Sequence, residues 1–145
     1  MTEEPLGLDG YLLEDQIGFR LRLANQRHLE IFAHTLPEIT PTQFATLVKL
    51  KEFGVLSQNY LGRLVAMDAA TTNGVVSRLR GKGLVRTLAS TSDLRRLDVS
   101  LTETGEAFIA DKLPLAFEVS AKTVNALTQR ERVQLLSLLA KISKL

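Results

Sequence analysis

Between Asp68 and Leu101 the spacing of apolar residues changes once, and that change limits what the segment can fold into. In "DAATTNGVVSRLRGKGLV" (residues 68–85), Thr72, Val75, Val76 and Leu79 recur at spacings of three and four, the period of a helix face. Past Gly83 the period drops to two. "LVRTLA" reads as one strand, and "LDVSL" as another, with Leu97, Val99 and Leu101 alternating with Asp98 and Ser100. Asp68 is placed to cap the helix and Gly83 to end it. Between the strands, "STSDLRR" is a polar hairpin tip carrying two arginines.

The flanking sequence supplies the remaining helices. "TPTQF" combines a capping Thr40, Pro41 at the first helical position and Gln43 as the third residue of a capping box. That helix runs through Phe44, Leu47, Val48 and Leu50 to Gly54. Ser57 opens a short helix, "SQNYLGRLVA", with Leu61, Leu64 and Val65 inward. From Tyr11 to about Thr35, Leu13, Ile17, Leu21, Ala24, His28 and Ile31 form a helical stripe, widened by Leu12, Phe19 and Leu23. After Thr102 and Gly105 a long helix carries Ala107, Phe108, Leu113, Leu115, Phe117 and Val119, with Pro114 expected to bend or interrupt it. "TQRE" (128–131) is a second capping box, opening a helix with Val133, Leu135, Leu136, Leu139 and Ile142 inside. Two helices joined by a few residues and followed by a two-stranded ribbon make a winged helix-turn-helix. The expected fold is mainly α with a small β-hairpin. The long apolar helices of both termini are left over by that motif, and a partner chain is a natural cover for them.

The helix over 68–82 is unusual in its polar residues. Thr71, Thr72, Asn73 and Gly74 stand in a row, although such residues favour turns and a mid-helix glycine costs about 1 kcal/mol relative to alanine. With Thr72, Val75, Val76 and Leu79 inward, Thr71, Asn73, Gly74, Ser77 and Arg78 point out. Short side chains let a backbone approach base edges in a major groove, where Asn pairs with adenine, Thr meets the thymine methyl and Arg reaches guanine or phosphate. An ordinary surface helix with a tolerated glycine is the alternative. At the hairpin, Arg95 and Arg96 sit at the tip with Arg86 on the paired strand. Asp93 lies two residues before Arg95, within reach of a charge-assisted fork. An arginine on a thin projection fits a minor groove; a solvated Asp–Arg pair is the alternative.

Charge follows the same division. Residues 1–54 carry five Lys/Arg against eight Asp/Glu, residues 55–101 seven against three, and residues 102–145 six against five. A basic middle segment suits a polyanion, and it equally suits a solvated basic face. The absence of cysteine excludes disulfides, a Cys-based zinc site and thiol redox switching. No apolar run nears the ~20 residues of a membrane span, and the acidic start "MTEEPLGLDG" has no signal-peptide core, so a soluble cytoplasmic protein without membrane partners is expected. Catalysis finds little support. His28 and His34 are six apart and do not share a helix face, "GKG" at 81–83 is no phosphate loop, and no serine sits in a nucleophile elbow. No catalytic residue, metal or cofactor is expected.

The stretches "ITPTQFATLVKL", "LSQNYLGRLVAMDAATTNGVVSRLRGKGLV" and "DLRRLDVSLTETG" together resemble the MarR family of bacterial winged-helix regulators, from about Thr40 to Gly105. The most specific pieces are the D-x-R of Asp93 and Arg95, the V-x-L-T-x-x-G of Val99 to Gly105, and the R-L-x-x-K-G-L-V of Arg78 to Val85. The resemblance implies a single unit over residues 1–145, with a DNA-binding lobe over 40–103 and dimerisation helices over 11–36 and 104–145. It implies a homodimer on a pseudo-palindromic operator, with the 68–82 helix in the major groove, Arg95 in the minor groove, and Ser57 and Gln58 at phosphates. Gly74 stands where many members carry arginine or another long residue, so their base contacts do not transfer directly.

The resemblance also implies a cleft between dimer arms and lobe for a small aromatic or anionic effector, an acid or its thioester, that releases DNA. Candidates are Arg20, Arg27 and His28 among Phe19, Leu23, Phe44 and Phe108. For His28 a satisfied histidine at the dimer seam is the competing reading; for the arginines, surface ion pairs with Glu14, Asp15 or Glu30. Two further alternatives stay open. One is a constitutive or architectural DNA binder without an effector. The other is a winged helix used for protein contact.

Overall fold

The computed structural model describes residues 7–144, so the first six residues of the acidic N-terminal stretch lie outside it. A single 3₁₀ turn, Leu13–Asp15, leads into α1 (Ile17–Thr35). Then follow α2 (Pro41–Phe53), β1 (Leu56–Ser57), α3 (Gln58–Leu64), α4 (Ala69–Gly81), β2 (Val85–Ala89), β3 (Leu97–Leu101), α5 (Glu103–Thr123) and α6 (Gln129–Ser143). The fold is mainly helical, with a winged helix-turn-helix at its centre.

The caps read from the sequence all form. Thr40 and Thr128 each close a reciprocal capping box, with Gln43 and Glu131. Ser57, Asp68 and Thr102 accept from the third backbone N–H of α3, α4 and α5. Each such cap stabilises its helix by about 1 kcal/mol. Gly83, at φ +73°, turns the chain out of α4 in the left-handed region that a side chain rarely adopts.

The core is one cluster from the lobe and the inner ends of α1 and α5: Phe32, Leu36, Leu47, Leu50, Leu61, Leu79, Val99 and Ile109 are among its most buried members. β2 and β3 pair antiparallel, with Thr87 opposite Val99. The expected two-stranded ribbon is a three-stranded sheet in the order β1-β3-β2, because Leu56 pairs with Val99 and Ser57 with Asp98. A strand of two residues carries no readable period, so sequence patterning missed it.

Three other expectations are corrected. The first helix begins at Ile17 rather than Tyr11, since the chain before it turns through the 3₁₀ segment. The short helix stops at Leu64, and Ala66 takes a positive φ of 55° on the way into α4. Pro114 lies inside a continuous α5. Pro114 and Ala110 are both exposed, so the carbonyl freed by the missing N–H faces water.

The outer helices leave their apolar faces open. In α6 no described residue is buried; Val133, Leu136, Leu139 and Ile142 are exposed and Leu135 is half-buried, contrary to their expected placement inside. Their helical period marks a face to be covered, and no described residue covers it. Leu12, Leu13, Ile17 and Leu21 before and along α1, and Phe117 on α5, are exposed as well. No helix among the described residues is long and apolar enough to cross a membrane.

Candidate nucleic-acid interface

The helix-turn-helix rests on a close crossing of α3 and α4. A β-carbon on Gly62 would stand 2.5 Å from the Thr72 hydroxyl, so only glycine lets the helices meet there. Thr72 Oγ1 donates back to the Asp68 carbonyl at 2.7 Å and is buried without an orphaned polar atom. Val75, Val76 and Leu79 complete the buried face, as their spacing requires. Asp68 Oδ1 accepts from the Thr71 N–H at 2.7 Å. That backbone bond, seconded by the Thr71 side chain, holds the carboxyl below the usual aspartate range.

Thr71, Asn73, Ser77 and Arg78 are exposed on the opposite face, and Gly74 is half-exposed between them. The Arg78 guanidinium folds back over Gly74: a β-carbon there would lie 3.4 Å from Nη1. The glycine keeps the surface low, and a methyl group there would meet the arginine at ordinary contact distance. The rest of the basic turn is engaged. Arg80 Nη1 donates to Thr87 Oγ1 at 3.1 Å, tying α4 to the ribbon, and Lys82 Nζ donates to the Glu38 carbonyl in the α1–α2 connection. Arg78 alone of the three has its head over the outer face.

The hairpin tip is ordered by Asp93. Its Oδ1 accepts from the Arg95 N–H at 3.0 Å and approaches Arg95 Nε at 3.5 Å, while its carbonyl accepts from the Arg96 N–H. The Arg95 side chain is 94% exposed, so this pair shapes the turn and contributes little to stability. Arg96 is paired with Asp98 at 2.8 Å, and Arg86 stands exposed on β2 opposite Ser100.

Between the hairpin and the start of α3 lies an open groove of about 600 Å³. Ser57, Gln58 and Asn59 form one wall, Asp93, Arg95 and Arg96 the other, and Arg63 joins them with its guanidinium 5.4 Å from the Tyr60 ring centroid. Gln58 Nε2 also reaches Asn73 Oδ1 at 3.4 Å, which connects the groove to the outer face of α4. The fold therefore brings Ser57, Gln58, Asn73, Asp93, Arg95 and Arg96 into one contiguous polar surface. Arg63 and the Gln58–Asn73 link went unread in the sequence. Neither has a signal in local spacing: six residues separate Arg63 from Ser57, and the link crosses between helices.

The effector candidates do not gather around one cavity in the single chain. Thr123 Oγ1 hydrogen-bonds the Val119 carbonyl at 2.8 Å and His28 Nδ1 at 2.9 Å, which ties α1 to α5. Arg27 donates to the Thr123 carbonyl and to Asn125 Oδ1, and Arg20 to the Glu14 carbonyl rather than to a carboxylate. The Phe32 ring stands 6.4 Å from both His28 and Phe44. Phe19 lies under Arg22 and Phe108 under Lys112. Leu23 is exposed. An apolar recess of about 510 Å³ nearby is lined instead by Leu29, Phe32, Leu36, Ile39, Gln43 and Lys82, among others.

Comparison with known proteins agrees with this architecture. The sequence model of the MarR family matches residues 39–97. The chain is 38% identical to the HTH-type transcriptional repressor NicR of Pseudomonas putida, over 97% of this chain and 90% of that one. A probable transcriptional regulator from Pseudomonas aeruginosa superposes with a TM-score of 0.88 at 47% identity, covering 90% of this chain and 99% of the other. BpsR of Bordetella bronchiseptica, whose DNA binding is regulated by 6-hydroxynicotinic acid, superposes with a TM-score of 0.89 at 34% identity, covering 93% and 98%.

Proposed function

The chain belongs to the MarR family of transcriptional regulators, and we propose that it is a homodimeric repressor, released from a pseudo-palindromic operator by a small aromatic acid. One observation carries the DNA-binding mode: the small polar face of α4, the α3 N-terminus and the arginine-bearing hairpin tip form one surface, joined through Gln58. On this reading α4 enters the major groove with Thr71, Asn73, Gly74, Ser77 and Arg78. Arg95 enters the flanking minor groove, steadied by Asp93, and Arg86 and Arg96 lie beside it. The sugar–phosphate strand between the two grooves runs through the 600 Å³ groove. Ser57 accepts its own helix's N–H and keeps its hydroxyl proton for a phosphate, beside Gln58 and Arg63.

Dimerisation is supported by the uncovered faces of α6 and the N-terminal segment, a larger apolar display than a monomer sustains. Two copies set their α4 helices about one DNA turn apart, roughly 34–36 Å. The effector reading is supported by the similarity to BpsR and by the Arg27 guanidinium and the His28 ring where α1 meets α5, next to the Phe32–Phe44 pair. A carboxylate that competes there for Arg27 shifts the arms against the lobe, and it releases DNA by its differential affinity for the two spacings. Arg20, Phe19, Leu23 and Phe108 complete the site only with the partner protomer's arm.

Fluorescence anisotropy on DNA from upstream of the protein's own coding region, beside a shuffled duplex and at two salt concentrations, tests this. The native duplex is expected to bind tightly and to weaken with salt. Arg95→Ala is expected to lose at least about tenfold in affinity, with a salt slope lower by about one and an unchanged Tm. Unchanged affinity in that variant rules out the hairpin as a minor-groove reader. 6-Hydroxynicotinic acid is the first effector to add, and Arg27→Ala should blunt its action without altering binding in its absence.

A further inference from the structure

We propose that Asn73 reads an adenine at one fixed position of each operator half-site, and that Gln58 is the positioning residue that sets which edge of the Asn73 amide faces the base. The inference rests on α4 being the major-groove helix.

An exposed asparagine turns its amide over at little cost and offers either edge. Here a side chain from another helix is coupled to that choice: Gln58 Nε2 lies 3.4 Å from Asn73 Oδ1, so the two amides turn together. The bond occupies one of the two lone pairs on Oδ1 and leaves the other, along with both Nδ2 hydrogens. That remaining set, one acceptor beside one donor, matches the N6 donor and N7 acceptor of adenine; guanine shows two acceptors on the same edge. The asparagine side chain is short, so the helix has to come close. Asn73 is flanked by Gly74, which carries no side chain, and by Thr72, which is buried. Gln58 itself is half-buried at the first turn of α3 and also lines the arginine groove. The base reader is therefore fixed to the element that seats the backbone, and Gln58 acts through Asn73 without touching a base.

Selection of the full-length protein on duplexes with a randomised central segment tests the proposal. The wild type is expected to enrich a palindrome with adenine at one symmetric position. Asn73→Ala and Gln58→Met should both lose discrimination at that same position, by roughly tenfold, with other positions and Tm retained. Gln58→Glu accepts from Nδ2 and turns the amide over, so it should change the preferred base there rather than merely weaken the preference. On the selected duplex, 7-deazaadenine at that position removes N7, which should weaken the wild type and leave Asn73→Ala unaffected. A palindrome kept intact by both Asn73→Ala and Gln58→Met overturns the proposal. Loss in Asn73→Ala alone overturns the role of Gln58. A wild type that enriches no sequence overturns the sequence-specific reading of the protein itself, a separate failure.

Discussion

Gly105, in the first turn of α5, lies against the Leu84 carbonyl so closely that a β-carbon on it would overlap the oxygen. The same carbonyl accepts from the Thr102 N–H, and Thr102 Oγ1 donates to the Gly83 carbonyl. The end of α4, the start of β2 and the entry to the long helix are thus locked at one point. Backbone atoms cannot swing aside as a side chain does. Gly105→Ala is expected to destabilise the protein by about 2–3 kcal/mol in urea unfolding, the cost of overpacking a rigid contact. Gly81→Ala, a helical glycine with open space around it, should instead be neutral or stabilise by up to ~1 kcal/mol. Equal effects at the two sites would mean that the Leu84 contact is relaxed in solution.

Gly74 separates stability from function. A β-carbon there meets only the far end of Arg78, which is free to move, and α4 gains helix propensity. Gly74→Ala is expected to raise unfolding stability by ~0.5–1 kcal/mol. It should also weaken operator binding by roughly tenfold, because the added methyl group stands where the helix nears the bases. A variant that gains stability with unchanged DNA affinity would show that the glycine serves no close approach.

Much of this was legible in the sequence, and for identifiable reasons. Helix boundaries carried by side-chain caps (Thr40, Ser57, Asp68, Thr102, Thr128) were readable because the cap is local chemistry. The inner face of α4 was readable because Thr72, Val75, Val76 and Leu79 keep helical spacing. Contacts between distant segments were not. Nothing in "SQNY" announces that Gln58 meets Asn73, nor in "RGKG" that Lys82 is tied to the Glu38 carbonyl. β1 was invisible because its two residues are extended by pairing with β3 alone. For α6, periodicity marked the apolar face and could not say that no described residue buries it.

Acid should find the caps. The Thr71 N–H, then the Thr71 side chain, lowers Asp68 from its ordinary 3.8, and Thr128 does the same for Glu131 from 4.5. A carboxylate lowered in the folded state stabilises fully above its ordinary value, and that stability is lost as pH falls through the folded one. The urea midpoint is therefore expected to hold from neutrality to about pH 5 and to fall below about pH 4. Asp68→Asn keeps the accepting oxygen and removes the titration, so its acid limb should be shallower than the wild type's. An identical acid limb would place the titrating groups elsewhere.

The strongest demand on a second chain comes from α6, where Leu136 is 70% exposed, and from Ile17 at the start of α1, 69% exposed. Charge at the centre of an apolar interface costs about 2 kcal/mol or more, a dimer dissociation constant at least about thirtyfold weaker. Leu136→Glu and Ile17→Glu should each shift the protein toward monomer in sedimentation equilibrium. Neither side chain is buried in its own chain, so the lobe should keep its fold and its circular dichroism. Operator affinity should then fall far more than any single-contact variant, because each half-site must bind without the other's effective concentration. Wild-type dimers in both variants would mean that these faces are not the seam; monomers that bind the operator undiminished would mean that one lobe suffices.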